Sequence, residues 1–247
     1  MLELDLWLEI AKSAALEGGN YLLQSQGKEL KVLMDSGRDI KLQLETDTEN
    51  LIKESLSLQS SFSILGEETG LSNNLGEFYW VVDPLDGTSN FLRDIPISCV
   101  SIALMQEVTP ILGVIYDFNH DDLYFGHQNS KAFLNQNEIT VSDYSKKNQS
   151  TLVTGIPAKT HYSDEEFKNM INDFQDWKKV RMIGSAAMAA IYVAAGKAET
   201  YKESGIFLWD IAAGAAIVEA AGGVASIKNM QADYRVDAIF SNQYLAN

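Results

Sequence analysis

The chain has 247 residues, and its 19 Lys+Arg against 34 Asp+Glu give a formal charge of −15. With 46% hydrophobic and 21% charged residues it can build the core of one large domain or two small ones, and it does not have the composition of a disordered segment. The acidity excludes nucleic acid and an anionic membrane as default partners, because both need clustered Lys/Arg, and it suits cations or anions that arrive with cations.

Leu4, Leu8, Ala11, Ala15, Gly18 and Leu22 recur at spacings of three and four, which predicts an amphipathic opening helix. A loop with Gly37 and a charged stretch follows. Thr46 and Glu49 have capping-box spacing ahead of Leu51, Ile52 and Leu56, predicting a second helix entered near Asp47. Strand patterns begin at Phe62–Leu65 and Phe78–Val82, each running directly into acidic residues. Residues 99–118 give two more strands broken near Thr109-Pro110, and Tyr124-Phe125 marks another. Polar residues 143–150 form the predicted boundary between an N-terminal lobe, 1–142, and a C-terminal lobe, 143–247. In the second lobe, strand signals at 152–154, 179–183, 198–202, 224–227 and 237–241 alternate with helical patterns at 164–174, 185–195 and 209–221. Sheets covered by helices, the α/β or α+β class, are the expected architecture.

Several catalytic devices are missing from the sequence. There is no P-loop, no G-x-G-x-x-G fingerprint and no G-x-S-x-G elbow. His120, His127 and His161 lack zinc-site spacing and read as surface or loop residues. The lone Cys99 supplies neither a cysteine cluster nor an internal disulfide. The opening residues lack a basic leader region and no apolar run is long enough for a membrane span, so a cytoplasmic setting is expected.

The informative acids follow strands or open a helix, where α/β proteins place ligands. Gly66-Glu67-Glu68 follows one apolar strand, Asp83-Pro84-Leu85-Asp86-Gly87-Thr88 another, and Trp209-Asp210 opens an Ala-rich helix. Pro84 stiffens the turn between Asp83 and Asp86, so both carboxylates can face one side with the Leu85 carbonyl as a third oxygen. Carboxylates that converge repel one another unless cations lie between them, and hard oxygens suit Mg²⁺ or Mn²⁺. The backbone at Gly87-Thr88, where a helix can begin, is a seat for phosphate, and the Thr88 hydroxyl can orient water.

The stretch Trp80-Val-Val-Asp83-Pro-Leu-Asp86-Gly-Thr-Ser-Asn-Phe91 closely resembles the first signature of the inositol monophosphatase family, and Trp209–Gly223 resembles the second. The resemblance implies an α+β fold, an α-β-α-β-α sandwich of the inositol monophosphatase and fructose-1,6-bisphosphatase type. It also implies Mg²⁺-dependent, lithium-sensitive hydrolysis of a phosphate monoester by a homodimer. By position, Glu67, Asp83 and the Leu85 carbonyl would hold a first Mg²⁺, and Asp83, Asp86 and Asp210 a second. Gly87 and Thr88 would hold the phosphate, with Thr88 and Asp47 activating water and Glu68 supporting the water or a third metal. Gly184, Ser185, Ala186 and Glu203 would line the pocket for the alcohol part.

Two stretches depart from the family pattern. Leu44 replaces the threonine of a V-T-x-x-D motif matched to Gln43–Asp47, and Leu92–Pro96 lacks the usual His-Gly. Glu203 suits the vicinal hydroxyls of an inositol or sugar monophosphate. The alternatives are a 3′(2′),5′-bisphosphate nucleotidase, with Arg181 and Lys202 as sources of charge for a second phosphate, or a fructose-1,6-bisphosphatase. A catalytically silent regulatory relative is the remaining reading, and the intact Glu67, Asp83, Asp86 and Asp210 argue against it.

Overall fold

A computed structural model describes residues 3–36, 39–157 and 161–246, so Gly37 lies outside the described residues. The chain opens with helix α1 (Leu4–Ser25), whose buried stripe includes all six residues of the predicted periodicity. No side chain caps its N-terminus. A cap is worth only ~1 kcal/mol, whereas each buried Leu contributes about 1.5–3 kcal/mol, so the stripe decides the helix. Next come the antiparallel hairpin β1 (Val32–Ser36) and β2 (Asp39–Leu42), then helix α2 (Gln43–Ser57).

Strands β3 (Ser63–Gly66), β4 (Gly70–Leu71) and β5 (Phe78–Asp86) precede a four-residue helix, α3 (Thr88–Phe91). Strands β6 (Cys99–Gln106), β7 (Thr109–Asp117), β8 (Asp122–His127), β9 (Ala132–Leu134) and β10 (Asn137–Ile139) complete an eight-stranded sheet of order β10-β9-β8-β7-β6-β5-β3-β4. Only the β3–β5 pairing is parallel. Beyond a short 3₁₀ turn at Lys147–Gln149 come β11 (Thr151–Thr154), α4 (Asp164–Asp176), β12 (Lys179–Met182), α5 (Ala186–Ala194), β13 (Thr200–Phe207), α6 (Leu208–Ala220), β14 (Val224–Lys228) and β15 (Arg235–Ser241). Their strands form a second sheet of order β12-β11-β13-β15-β14.

The strand period of two assigns the layers. Trp80 and Val82 of β5 pack with Leu8 and Leu22 of α1 and with Ile52 and Leu56 of α2. The alternating Tyr79 and Val81 join the opposite core with α5 and α6, which also contains Val153, Tyr201 and Phe240 of the second sheet. Because α5 is apolar on every side and α6 is apolar apart from Asp210 and Glu219 near its ends, they fit between two sheets. Helix α4 lies outermost and has no buried residue. The result is the α-β-α-β-α layering.

Four local expectations are corrected. The stretch before α2 is a hairpin, anchored by the fully buried Leu42. α2 begins at Gln43 and not near Asp47, because the Glu45 carboxylate reaches back to accept the Leu42 N–H at 2.6 Å. Asp83–Asp86 is the end of a nine-residue strand and not a turn beyond it. His127 is buried, with Nε2 3.1 Å from Asp5 Oδ1. No helix among the described residues is long and apolar enough to cross a membrane.

Candidate active site

The arrangement of Asp83 and Asp86 follows from a β-bulge. Residues three apart on a regular strand point to opposite faces. Here Asp83 pairs with Ser101 and Asp86 with Cys99, so β5 uses one more residue than β6 across this interval. The extra residue restores the parity, and both acids can serve the same cavity. Pro84 is tolerated because a bulge leaves one backbone N–H without a ladder partner. The Leu85 N–H donates to Asp83 Oδ1 at 2.9 Å, which fixes the bend.

One carboxylate oxygen each from Glu67, Asp83 and Asp210 lie within 4.8 Å of one another. They come from the end of β3, the bulge of β5 and the first turn of α6, where the Phe207 N–H donates to Asp210 at 3.2 Å. Burial, then the charges of Glu45 and Glu68, raise the Glu67 carboxyl to about 8. Burial and the neighbouring Glu67 carboxylate push Asp83 well above the usual range, and Asp210 is raised by the same two causes. Such a set of hard oxygens, each disfavouring its neighbours' charge, fits one or more divalent cations. Asp86 stands beside this trio and is raised to about 6, chiefly by burial. Its Oδ2 accepts from the Ser185 hydroxyl and the Ala187 N–H, both at 2.6 Å.

A cavity of about 300 Å³ opens over these acids, lined by Glu67, Asp86, Gly87, Thr88, Gly184, Ser185, Ala186 and Glu203 among others. Gly87 has φ 94° and a Cβ there would stand 2.7 Å from the Ile97 carbonyl, so only glycine enters α3 this way. Asn90 Nδ2 donates to the carbonyls of both Ile97 and Ile183 at 2.8 Å, tying α3 to the loop that carries Gly184 and Ser185. Glu203 is buried at the second-sheet end, where burial raises it to about 7 while the Tyr201 hydroxyl, 2.9 Å from Oε2, favours its charge.

Asp47, expected to help activate water, lies apart from Thr88. Asp47 is exposed on α2 and accepts only from Gln43 Nε2 at 2.9 Å. Glu45, two residues earlier, is buried and accepts the Thr88 hydroxyl at 2.5 Å, while the same hydroxyl lies 3.2 Å from the Leu85 carbonyl. Burial raises Glu45 to about 7 against the bonds from Thr88 and Leu42. The signal was present in the sequence: Glu45, Glu49, Ile52 and Leu56 form one helical stripe that excludes Asp47. Glu68 pairs with Lys41 Nζ at 2.6 Å and is not one of the trio. Ser185 lines the cavity, but its hydroxyl is committed to Asp86 and to the N-terminus of α5, where it accepts from Met188 at 3.1 Å. Arg181 and Lys202 are exposed and do not line the cavity, which has no Lys or Arg among its described lining residues.

Comparison with known proteins agrees with this geometry. A model of the inositol monophosphatase family matches residues 3–240. The chain is 35% identical over 235 residues to an inositol-1-monophosphatase of Synechocystis, covering 91% of this chain and 79% of the relative. It is 37% identical over 220 residues to the Nus factor SuhB of Xylella fastidiosa, covering 87% and 80%. The solved inositol monophosphatase of Anabaena superposes with a TM-score of 0.85 at 32% identity, covering 99% of this chain and 93% of that one. Fold, acid cluster and relatives together define a metal-dependent phosphoric monoester hydrolase. The chain belongs to the inositol monophosphatase family.

Proposed function

We propose that the enzyme hydrolyses the phosphate monoester of a small polyol, with inositol monophosphate its leading substrate, using two Mg²⁺ ions held by Glu67, Asp83, Asp86, Asp210 and the Leu85 carbonyl. The observation that carries the substrate reading is Glu203: a buried carboxylate with one oxygen steadied by Tyr201, lining the same cavity as Asp86, Gly87 and Thr88. Such a group accepts hydrogen bonds from vicinal hydroxyls. Bound divalent cations supply the positive charge that offsets the phosphoryl oxygens and the leaving alkoxide. Thr88 gives its proton to the hydrogen bond with Glu45, which leaves its oxygen free to accept from the attacking water. Glu45 in turn is poised near neutrality to receive a proton. Gly87 and Thr88 line the phosphate end, and the Asp86 carboxylate is kept in place by Ser185 and Ala187.

A 3′(2′),5′-bisphosphate substrate is the weaker reading, because Arg181 lines neither this cavity nor its neighbour, and Lys202 lines a neighbouring cavity that shares Glu203, where it pairs with Asp173 at 3.5 Å. A homodimer and a cytoplasmic setting remain part of the proposal. The test is phosphate release from inositol 1-phosphate, adenosine 3′,5′-bisphosphate, fructose 1,6-bisphosphate and histidinol phosphate, with Mg²⁺ and with EDTA. Inositol 1-phosphate should be turned over fastest, and only with Mg²⁺. A lead by adenosine bisphosphate would overturn the Glu203 reading and leave the metal site standing.

A further inference from the structure

Glu49 is a carboxylate with no role in the reaction described above, yet it is completely buried on α2. Its Oε2 accepts the Glu68 N–H at 2.7 Å, and its Oε1 accepts the Thr69 N–H at 3.1 Å and the Thr69 hydroxyl. Lys53, one helical turn on, lies 3.9 Å from Oε1 and donates to the Thr69 hydroxyl oxygen at 2.5 Å. Residue 66 must be glycine for the same reason, since a Cβ there would strike the Glu49 carboxylate. From the other side, the Glu67 N–H donates to the Val82 carbonyl at 3.1 Å. The turn that presents Glu67 is therefore gripped by α2 on one side and β5 on the other.

We propose that Glu49 is a positioning residue for the metal site: it fixes the Glu67–Glu68–Thr69 turn from below and thereby sets where the Glu67 carboxylate stands between Asp83 and Asp210. Burying a carboxylate is costly unless it is matched by donors, and here the matching donors belong to the very turn that carries the ligand. Glu45 and Glu49, four residues apart on one helix face, lie ~6 Å apart along the axis. A single helix thus registers the Thr88 hydroxyl with one carboxylate and the Glu67 turn with the next. This inference rests on the reading of Glu67 as a metal ligand.

The test is calorimetric titration of Mg²⁺ into the wild type, Glu49→Gln, Thr69→Val and Glu67→Gln, with the metal-free melting temperature measured for each. Glutamine keeps the shape but offers one acceptor oxygen and turns an NH₂ toward backbone N–H groups. Glu49→Gln should weaken Mg²⁺ binding about tenfold, the scale of one charge-assisted hydrogen bond. Thr69→Val, at an exposed position that does not threaten folding, should weaken it roughly two- to threefold, since it removes only the hydroxyl bond of this exposed residue and leaves both backbone N–H bonds to Glu49. Unchanged affinity in Glu49→Gln, with only a lower metal-free melting temperature, would overturn the proposal. If Glu49→Gln does not fold, unchanged affinity in Thr69→Val overturns it instead. Unchanged affinity in Glu67→Gln would overturn the metal-site reading itself, which is a separate failure.

Discussion

The two ends of the cavity are built differently. At the phosphate end every acid has an anchor: Leu85 N–H on Asp83, Ser185 and Ala187 on Asp86, Phe207 N–H on Asp210, and the Glu49-held turn beneath Glu67. Across the cavity Glu203, the proposed polyol contact, is steadied by one phenol, on a sheet whose outer helix α4 buries nothing. Mutual repulsion explains the contrast. Clustered carboxylates must be held in place until cations neutralise them, whereas a single hydrogen-bond acceptor needs no such restraint. The acids proposed to hold the metals are each tied to the fold in this way, whereas Glu203, the proposed substrate contact, rests on Tyr201.

The contrast is broken most severely at the bulge. Asp83→Asn should leave a folded protein with activity down about a thousandfold, several kcal/mol of transition-state stabilisation, measured as kcat at saturating Mg²⁺. Next in size, Glu45→Gln should lower kcat about a hundredfold by removing the acceptor behind Thr88. Asp47→Asn should change it less than about twofold, within the range of an exposed substitution. Equal effects of these two would contradict the assignment of Glu45. Glu203→Gln should be milder, lowering kcat/KM for inositol phosphate roughly tenfold while leaving the rate with a small aryl phosphate unchanged.

The smallest effect is on stability. Glu67 is raised from its ordinary 4.5 to about 8, and Glu45 and Glu203 to about 7. Each folded-state value lies above the unfolded one, so their contribution is fully present below about pH 4.5 and is lost as the pH climbs toward 8. The metal-free protein should therefore melt at a lower temperature at pH 8 than at pH 5, measured by scanning calorimetry. Saturating Mg²⁺ should remove most of that decline.

Much of this was legible in the sequence because hydrophobic period and strand-end acids are local signals. The α1 stripe, the alternation of the second half and the four principal acids all follow from neighbours within a few residues. What escaped depends on partners distant in sequence. The bulge is defined by β6, the hydrogen bond of Glu45 by Thr88, and the partner of His127 by Asp5. Reading the helix start by spacing placed it too late, since Glu45 closing on the Leu42 N–H, not Thr46 with Glu49, begins α2.

The bonds from Ser185 and Ala187 to Asp86 have a mechanical consequence. They join a strand of the first sheet to a helix that leads into the second, and Asn90 repeats the link at Ile183. Any breathing that separates the sheets must tear these bonds from Asp86 before the cavity widens. Separating the sheets and loosening Asp86 would then be one movement.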